Sequence, residues 1–440
     1  MKNYFFDLKE IIFGALQDSE KGSLSFRAEQ SDFARFNHAK VRQIGTVQQA
    51  YATFKLSLGQ KQITHVFVCG TNPKEDAQNI IDQLPLMRSS FSVLPEDPYC
   101  IQNEGNTIKS VEEEEEMAPL GLVVADICQR AKKSDLVGFY AAGPQWVGYA
   151  NNQGAFKWFG RSSMVFDYSL YAQGDKAVKT CIAGADWDQA QWHKSFDVQQ
   201  KQLAYMRRPA MNLKPGDYRV YLAPSAIAEI LSLLCWGGFS RRAKEEKRSP
   251  LQYLYDEKKI FHEQINLLEN TALGVAPFFN AVGFDRPAQT TLVAKGKPQE
   301  LLTAPRSAQQ YNCQPNGADA DESPLTLHMA AGQLDNTQIA QQLDQGIYIN
   351  NLWYLNYSDR LAGRITGMTR FGCFWVDKGQ LQSPIEVLRF DDSLYRMLGS
   401  ELEGLTREAE VQISANTYGA RSVESMKNPG ALLREMKFTL

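Results

Sequence analysis

Residues 346–357, Gly-Ile-Tyr-Ile-Asn-Asn-Leu-Trp-Tyr-Leu-Asn-Tyr, concentrate the β-branched and aromatic residues that favour strands. Phe374-Trp375-Val376 continues the pattern, so the chain reads as β-rich and aromatic from about Gly346 to Phe390. Working outward, the N-terminal part mixes helix and strand signals instead. Gln62 to Cys69 reads as a strand closed by Gly70-Thr71-Asn72-Pro73, and a helix follows over 74–86 with Ile80, Ile81 and Leu84 as its stripe. Further on, a helix is predicted over 120–131, a strand over 136–141 and a turn at Ala142-Gly143-Pro144, with short strands to about Gly184. The polar helical stretch Asp188 to Met206 reads as a connector. Beyond it, Lys214-Pro215-Gly216-Asp217 opens onto a strand, Tyr218 to Leu222.

At 440 residues the chain exceeds one ordinary hydrophobic core, so two domains are expected. It is 43% hydrophobic, which suits a packed core, and its net charge of −3 gives no general field for nucleic acid or anionic lipid. Seven single cysteines without a CxxC pair read as reduced thiols of a cytoplasmic protein. The first residues read as an amphipathic helix with Phe5, Leu8, Ile12 and Leu16 on one side, not as a signal peptide. The longest other apolar stretch, Ile230 to Phe239, falls far short of the roughly 20 residues that span a bilayer, so no membrane partner is expected. Residues 101–118 lose their apolar pattern, and the run Glu112 to Glu116 reads as a solvated loop.

Chemistry-bearing motifs are scarce. The histidines (38, 65, 193, 262 and 328) never fall three to five residues apart, so no helix offers two imidazoles to one metal. His262-Glu263-Gln264-Ile265-Asn266 imitates a zinc-peptidase helix but puts Asn266 where the second ligand belongs, so His262 is expected on an exposed helix. GxSxG, GxxxxGK[ST] and GxGxxG are all absent. Cys69 closes a strand but has no basic neighbour in sequence, and reads as a small buried residue. Arg207-Arg208 and Arg241-Arg242 are too local to form a nucleic-acid stripe.

Several short segments, in order along the chain, resemble the TldD/PmbA family. Ser31 to Asn37 (SDFARFN) is similar to its SRFANN signature, and Ala150-Asn151-Asn152-Gln153-Gly154 to its ANS-x-G segment. Tyr221 to Ala226 resembles its strand-to-helix junction. Gly283-Phe284-Asp285, Lys295-Gly296, Gly363 to Gly372, Val376 to Gly379 and Pro429 to Leu432 complete the series. The resemblance implies an α+β protein, with an α/β N-terminal domain over 1–190 and a C-terminal domain built on antiparallel sheet over 205–440.

Zinc-bearing members carry HExxxH on the helix after that junction, and a distal cysteine. The matching stretch here is Glu229 to Gly238, where Ser232, Leu233, Cys235 and Gly237 mark the lost motif; Thr417 to Arg421 has no cysteine. Cys235 alone cannot rebuild a site that needs three protein ligands. No cofactor is therefore expected in this chain, and zinc is expected in a partner. The resemblance implies a PmbA-type subunit that pairs with a TldD-type HExxxH-bearing chain, or with itself as a homodimer, and acts on unfolded or modified peptides. The alternatives are a metal-dependent peptidase with unrecognised ligands and a regulator of DNA topology, the latter suggested only by an old family name. A peptide strand could be held by Trp353, Tyr354 and Tyr357, with Arg360, Arg364 and Arg370 gripping a carboxylate or phosphate; the alternative is that Leu352, Trp353 and Leu355 are core and the arginines plain surface residues.

Overall fold

A computed structural model describes residues 1–113, 116–273 and 276–439. Lys2–Gly14 forms α1, which buries Phe5, Leu8 and Ile12 as their spacing dictates. Strands Lys21–Asn37 (β1), Lys40–Leu58 (β2) and Lys61–Val68 (β3) form an antiparallel ribbon. Pro73–Ser90 is α2, begun by Asn72, whose side chain accepts from the Lys74 amide at 3.1 Å. Next come Ile108–Glu113 (β4), Leu120–Arg130 (α3), Asp135–Asn151 (β5), Phe156–Gln173 (β6), Lys176–Gly184 (β7) and Gln189–Met206 (α4). The sheet order is β3-β2-β1-β5-β6, and the outer edge of β6 is shared. β4 pairs parallel with its first half and β7 antiparallel with its second.

Three expectations fail in instructive ways. The segment expected as a solvated loop contains β4. Its carboxylates are partnered: Trp158 Nε1 donates to Glu112 at 2.9 Å, Lys2 lies 3.3 Å from Glu112, and Arg161 lies 3.4 Å from Glu113. Neutralised in this way, the charges no longer oppose a strand; Glu114 and Glu115 lie outside the described residues. The turn expected at 142–144 is the middle of β5. Gly143 takes φ +140° with Gln30 O so close that a Cβ would sit 2.1 Å from it, and the β1–β5 ladder skips this point. His262 is not helical: its backbone bridges Leu398 and Ile265, and its Nδ1 accepts from the Gln264 amide.

The second sheet starts with Gly216–Leu222 (β8), followed by the helix Pro224–Cys235 (α5). Its other strands are Leu267–Glu269 (β9), Thr290–Ala294 (β10), Lys297–Pro298 (β11), Thr326–Met329 (β12), Gly346–Asp359 (β13), Arg364–Asp377 (β14), Gln380–Pro384 (β15), Arg389–Ser393 (β16), Leu402–Ile413 (β17) and Ser425–Phe438 (β18). The order is β11-β10-β9-β12-β18-β16-β14-β13-β8, with β17 on β18 and β15 on β14. Pairing is antiparallel except for β12–β18 and β13–β8. The architecture is thus α+β with two sheets, as expected. They share apolar packing, since Phe374 of β14 sits in one cluster with Trp192, Phe196 and Phe166.

Candidate functional site

Helix α5 is largely apolar and carries one charged side chain, Glu229. Ala226, Ile227, Ile230, Leu231, Leu233 and Leu234 enter the C-terminal core. The remaining stripe, Ser225, Ala228, Glu229, Ser232 and Cys235, follows helical spacing and lines a cavity of about 540 Å³. Both domains wall it: Asp167 comes from β6, Lys179 and Cys181 from β7, Gln412 and Ile413 from β17, and Ser425 and Met426 from β18.

Lys179 Nζ lies 3.0 Å from Asp167 Oδ2. Burial alone would lower the Lys179 ammonium, but Asp167, helped by Glu229, leaves it above its ordinary value. It is a fixed cation, not a free amine nucleophile. Glu229 opens onto the cavity, yet protein crowds round it. This desolvation raises its carboxyl, with Asp167 adding to the rise and Lys179 opposing it. Burial pushes the thiols of Cys181 and Cys235 far up as well, so neither is a thiolate. Cys235 donates instead to Leu231 O at 3.5 Å.

The four positions matched to the lost zinc motif do not converge. Ser232 and Cys235 face the cavity, whereas Leu233 is 2% exposed in the core and Gly237 lies beyond the helix end at φ +79°. Of these four positions only Cys235 carries a zinc-ligating side chain, whereas a catalytic zinc takes three protein ligands. Among the described residues, no group of three or more His, Cys, Asp or Glu side chains is placed to hold a metal. The residues present do not fit the ion.

The aromatic and arginine candidates lie elsewhere, and none of the six borders this cavity. Trp353 (46% exposed) and Tyr354 (66%) touch each other, with Arg370 over the indole at 5.0 Å. Arg370 also lies 3.5 Å from Asp175. Tyr357 donates to Leu233 O at 2.7 Å, and Arg360 covers its ring while donating to the Trp236 and Arg248 carbonyls. Arg364 pairs with Asp391. The structure therefore brings Trp353, Tyr354 and Arg370 together, sets Tyr357 and Arg360 at the end of α5, and leaves Arg364 apart. Sequence reasoning passed over Glu229, Lys179 and Asp167. Glu229 had a signal, as the one charge on an apolar helix; Asp167 and Lys179 come together only through the β6–β7 pairing.

A second cavity, of about 620 Å³, adjoins the first and shares Asp321, Leu325 and Glu424 with it. Residues 414–424 run alongside both and carry Arg421, which is buried against the N-terminal sheet. Its guanidinium donates to Gly143 O (3.0 Å), Ser163 O (2.8 Å) and Ser163 Oγ (2.6 Å). Gly143 O is available because the β1–β5 ladder is interrupted there. Glu29 accepts from the Arg421 amide and from Ser31 Oγ. Burial holds the Arg421 pKa down to about 10, against the pull of Glu29. The segment that carries the distal cysteine in zinc-bearing members is here a strap between domains.

Comparisons with known proteins agree with this architecture. Residues 215–440 match the family described as PmbA/TldA metallopeptidase C-terminal domain. No curated protein matches the chain. Among solved structures, TldE from Thermococcus kodakarensis aligns with a TM-score of 0.77 at 13% identity, covering 99% of this chain and 100% of the other. A protein from Thermotoga maritima described as a candidate modulator of a DNA gyrase gives 0.76 at 11% identity, covering 99% and 100%. A similarly described protein from Bacteroides thetaiotaomicron gives 0.73 at 13%, covering 100% and 98%. At such identities these likenesses speak for the fold, and the match over more than half of the sequence identifies the family. The chain belongs to the TldD/PmbA family of metallopeptidase-related proteins.

Proposed function

We propose that this chain is a peptide-binding subunit without a metal centre of its own, working in the cytoplasm beside a zinc-bearing TldD-type subunit in peptide processing. The observation that carries the proposal is the stripe Glu229, Ser232, Cys235. It keeps a roomy cavity between two domains and supplies no metal ligand set. A cavity of this size, part polar and part apolar, suits a short peptide segment better than a solvent-filled structural gap. The exposed pair Trp353–Tyr354 is a second surface on which a peptide or the partner subunit can rest its apolar side chains. All seven cysteines are unpaired, which supports a reducing compartment, and no described helix is long and apolar enough to cross a membrane. The gyrase wording attached to two of the structural relatives finds no support in a −3 net charge.

The test is metal content together with association. Dialysed protein is expected to hold no stoichiometric zinc, and size-exclusion chromatography of a mixture with an HExxxH-bearing relative is expected to show a joint species. About one zinc per chain, resistant to a mild chelator, would overturn the proposal.

A further inference from the structure

We infer that the cavity beside α5 selects a positively charged group, an amine or guanidinium of the bound peptide; the inference rests on the peptide-binding reading above. The titratable side chains facing the cavity come from five elements: Asp167 from β6, Lys179 and Cys181 from β7, Glu229 and Cys235 from α5, Asp321 from the loop before β12, and Glu424 from the strap. The two thiols are neutral, which leaves four carboxylates against one ammonium.

That ammonium is already committed to Asp167 Oδ2 at 3.0 Å. Among the described residues, neither Glu229 nor Glu424 has an ion-pair partner. A further observation is independent of the charge balance. Asp167 Oδ1, on this wall, is a buried acceptor with no hydrogen-bond partner. A buried acceptor is costly when unpaired, and an N–H donor from a ligand satisfies it. Glu229 opens onto the same space, where a cation would offset the desolvation that raises its carboxyl. The apolar part of the lining, Leu325, Leu327, Ile413 and Met426, suits the methylene stem of a lysine or arginine.

The experiment measures affinity of the full chain for one peptide in several forms, by fluorescence anisotropy at low and high salt. A central position carries Lys, Arg, Gln or Glu, and each form is made with a free and with an acetylated N-terminus. These arms separate a side-chain cation from a terminal amine. The cationic form is expected to bind roughly tenfold more tightly than the neutral one, the worth of one charge-assisted hydrogen bond. The preference should shrink with salt and fall toward unity in Glu229→Gln; Glu424→Gln provides a second variant if the first fails to fold. Equal affinity for Lys, Gln and Glu forms, with either terminus, overturns the inference while leaving peptide capture standing. Failure of every form to bind, with the chain alone and with its zinc-bearing relative, overturns both.

Discussion

Arg421 is a full charge set among backbone carbonyls, and its place in the sequence announces only that a cysteine is missing. Its partners lie in β1, β5 and β6, more than 250 residues away, so no local pattern could reveal the socket. Replacing Arg421 with Ala is expected to cost about 3–5 kcal/mol, since Glu29 is left buried beside unfilled acceptors. Arg421→Lys is expected to recover little, because a point-like ammonium cannot span Gly143 O and Ser163 O together. Denaturant midpoints check both; a loss under about 1 kcal/mol for the Ala variant, the size of an exposed ion pair, would contradict the strap. A second residue tests the electrostatics by pH. Arg88 donates to Glu20 at 2.7 and 2.9 Å and holds its carboxyl below the ordinary value of 4.5, tying α2 to the turn before β1. A depressed carboxyl contributes stability above its unfolded pKa and loses it as pH falls through the folded one. Wild-type protein should therefore lose more stability than Glu20→Gln on acidification below about pH 4.5. Acid titration of the two, with equal slopes as the contrary result, decides it.

Among the elements, those with an apolar stripe were legible: α1, α2, α3 and β8 lie close to where the periodicity put them. What failed was decided by partners distant in sequence. The glutamates of β4 are tolerable only because Lys2, Trp158 and Arg161 meet them, and Gly143-Pro144 continues a strand because β6 pairs with it there while β1 pairs on either side. The candidate site divides the same way. The loss of the zinc motif could be read from residues 229–238, whereas the cavity that replaces it needs β6, β7 and β17. Strand β13 offers a test of where the aromatic stretch works. Tyr357→Ala is expected to cost about 3 kcal/mol, because the ring packs against the core and its hydroxyl holds the end of α5. Trp353→Ala, with its ring half in solvent, should cost under about 1 kcal/mol and act on capture or assembly instead. Similar midpoint losses for the two variants would contradict this division.

For the molecule as a whole, the domains are held by a few directed contacts over a shared core. Lys157 of β6 donates to Gly283 O at 2.8 Å and pairs with Asp285 at 2.6 Å, and Arg306 pairs with Asp97 at 2.5 Å. Gly283 sits at φ +80°, and a Cβ there would lie 2.1 Å from the Tyr149 ring, which explains why this domain contact is made through glycine. Gly283→Ala is expected to cost at least about 2 kcal/mol and to loosen the domains, seen as faster proteolysis between them with each sheet still folded. The cavity that α5 shares with β7 exists only while the domains hold this arrangement, and a partner that supplies zinc chemistry would need it in place. The most direct test of that account is peptide cleavage by this chain alone, by an HExxxH-bearing relative alone and by the two mixed, each with and without a chelator. The account predicts no cleavage by the lone chain, and chelator-sensitive cleavage by the mixture above that of the relative alone. Chelator-sensitive cleavage by the lone chain would contradict it.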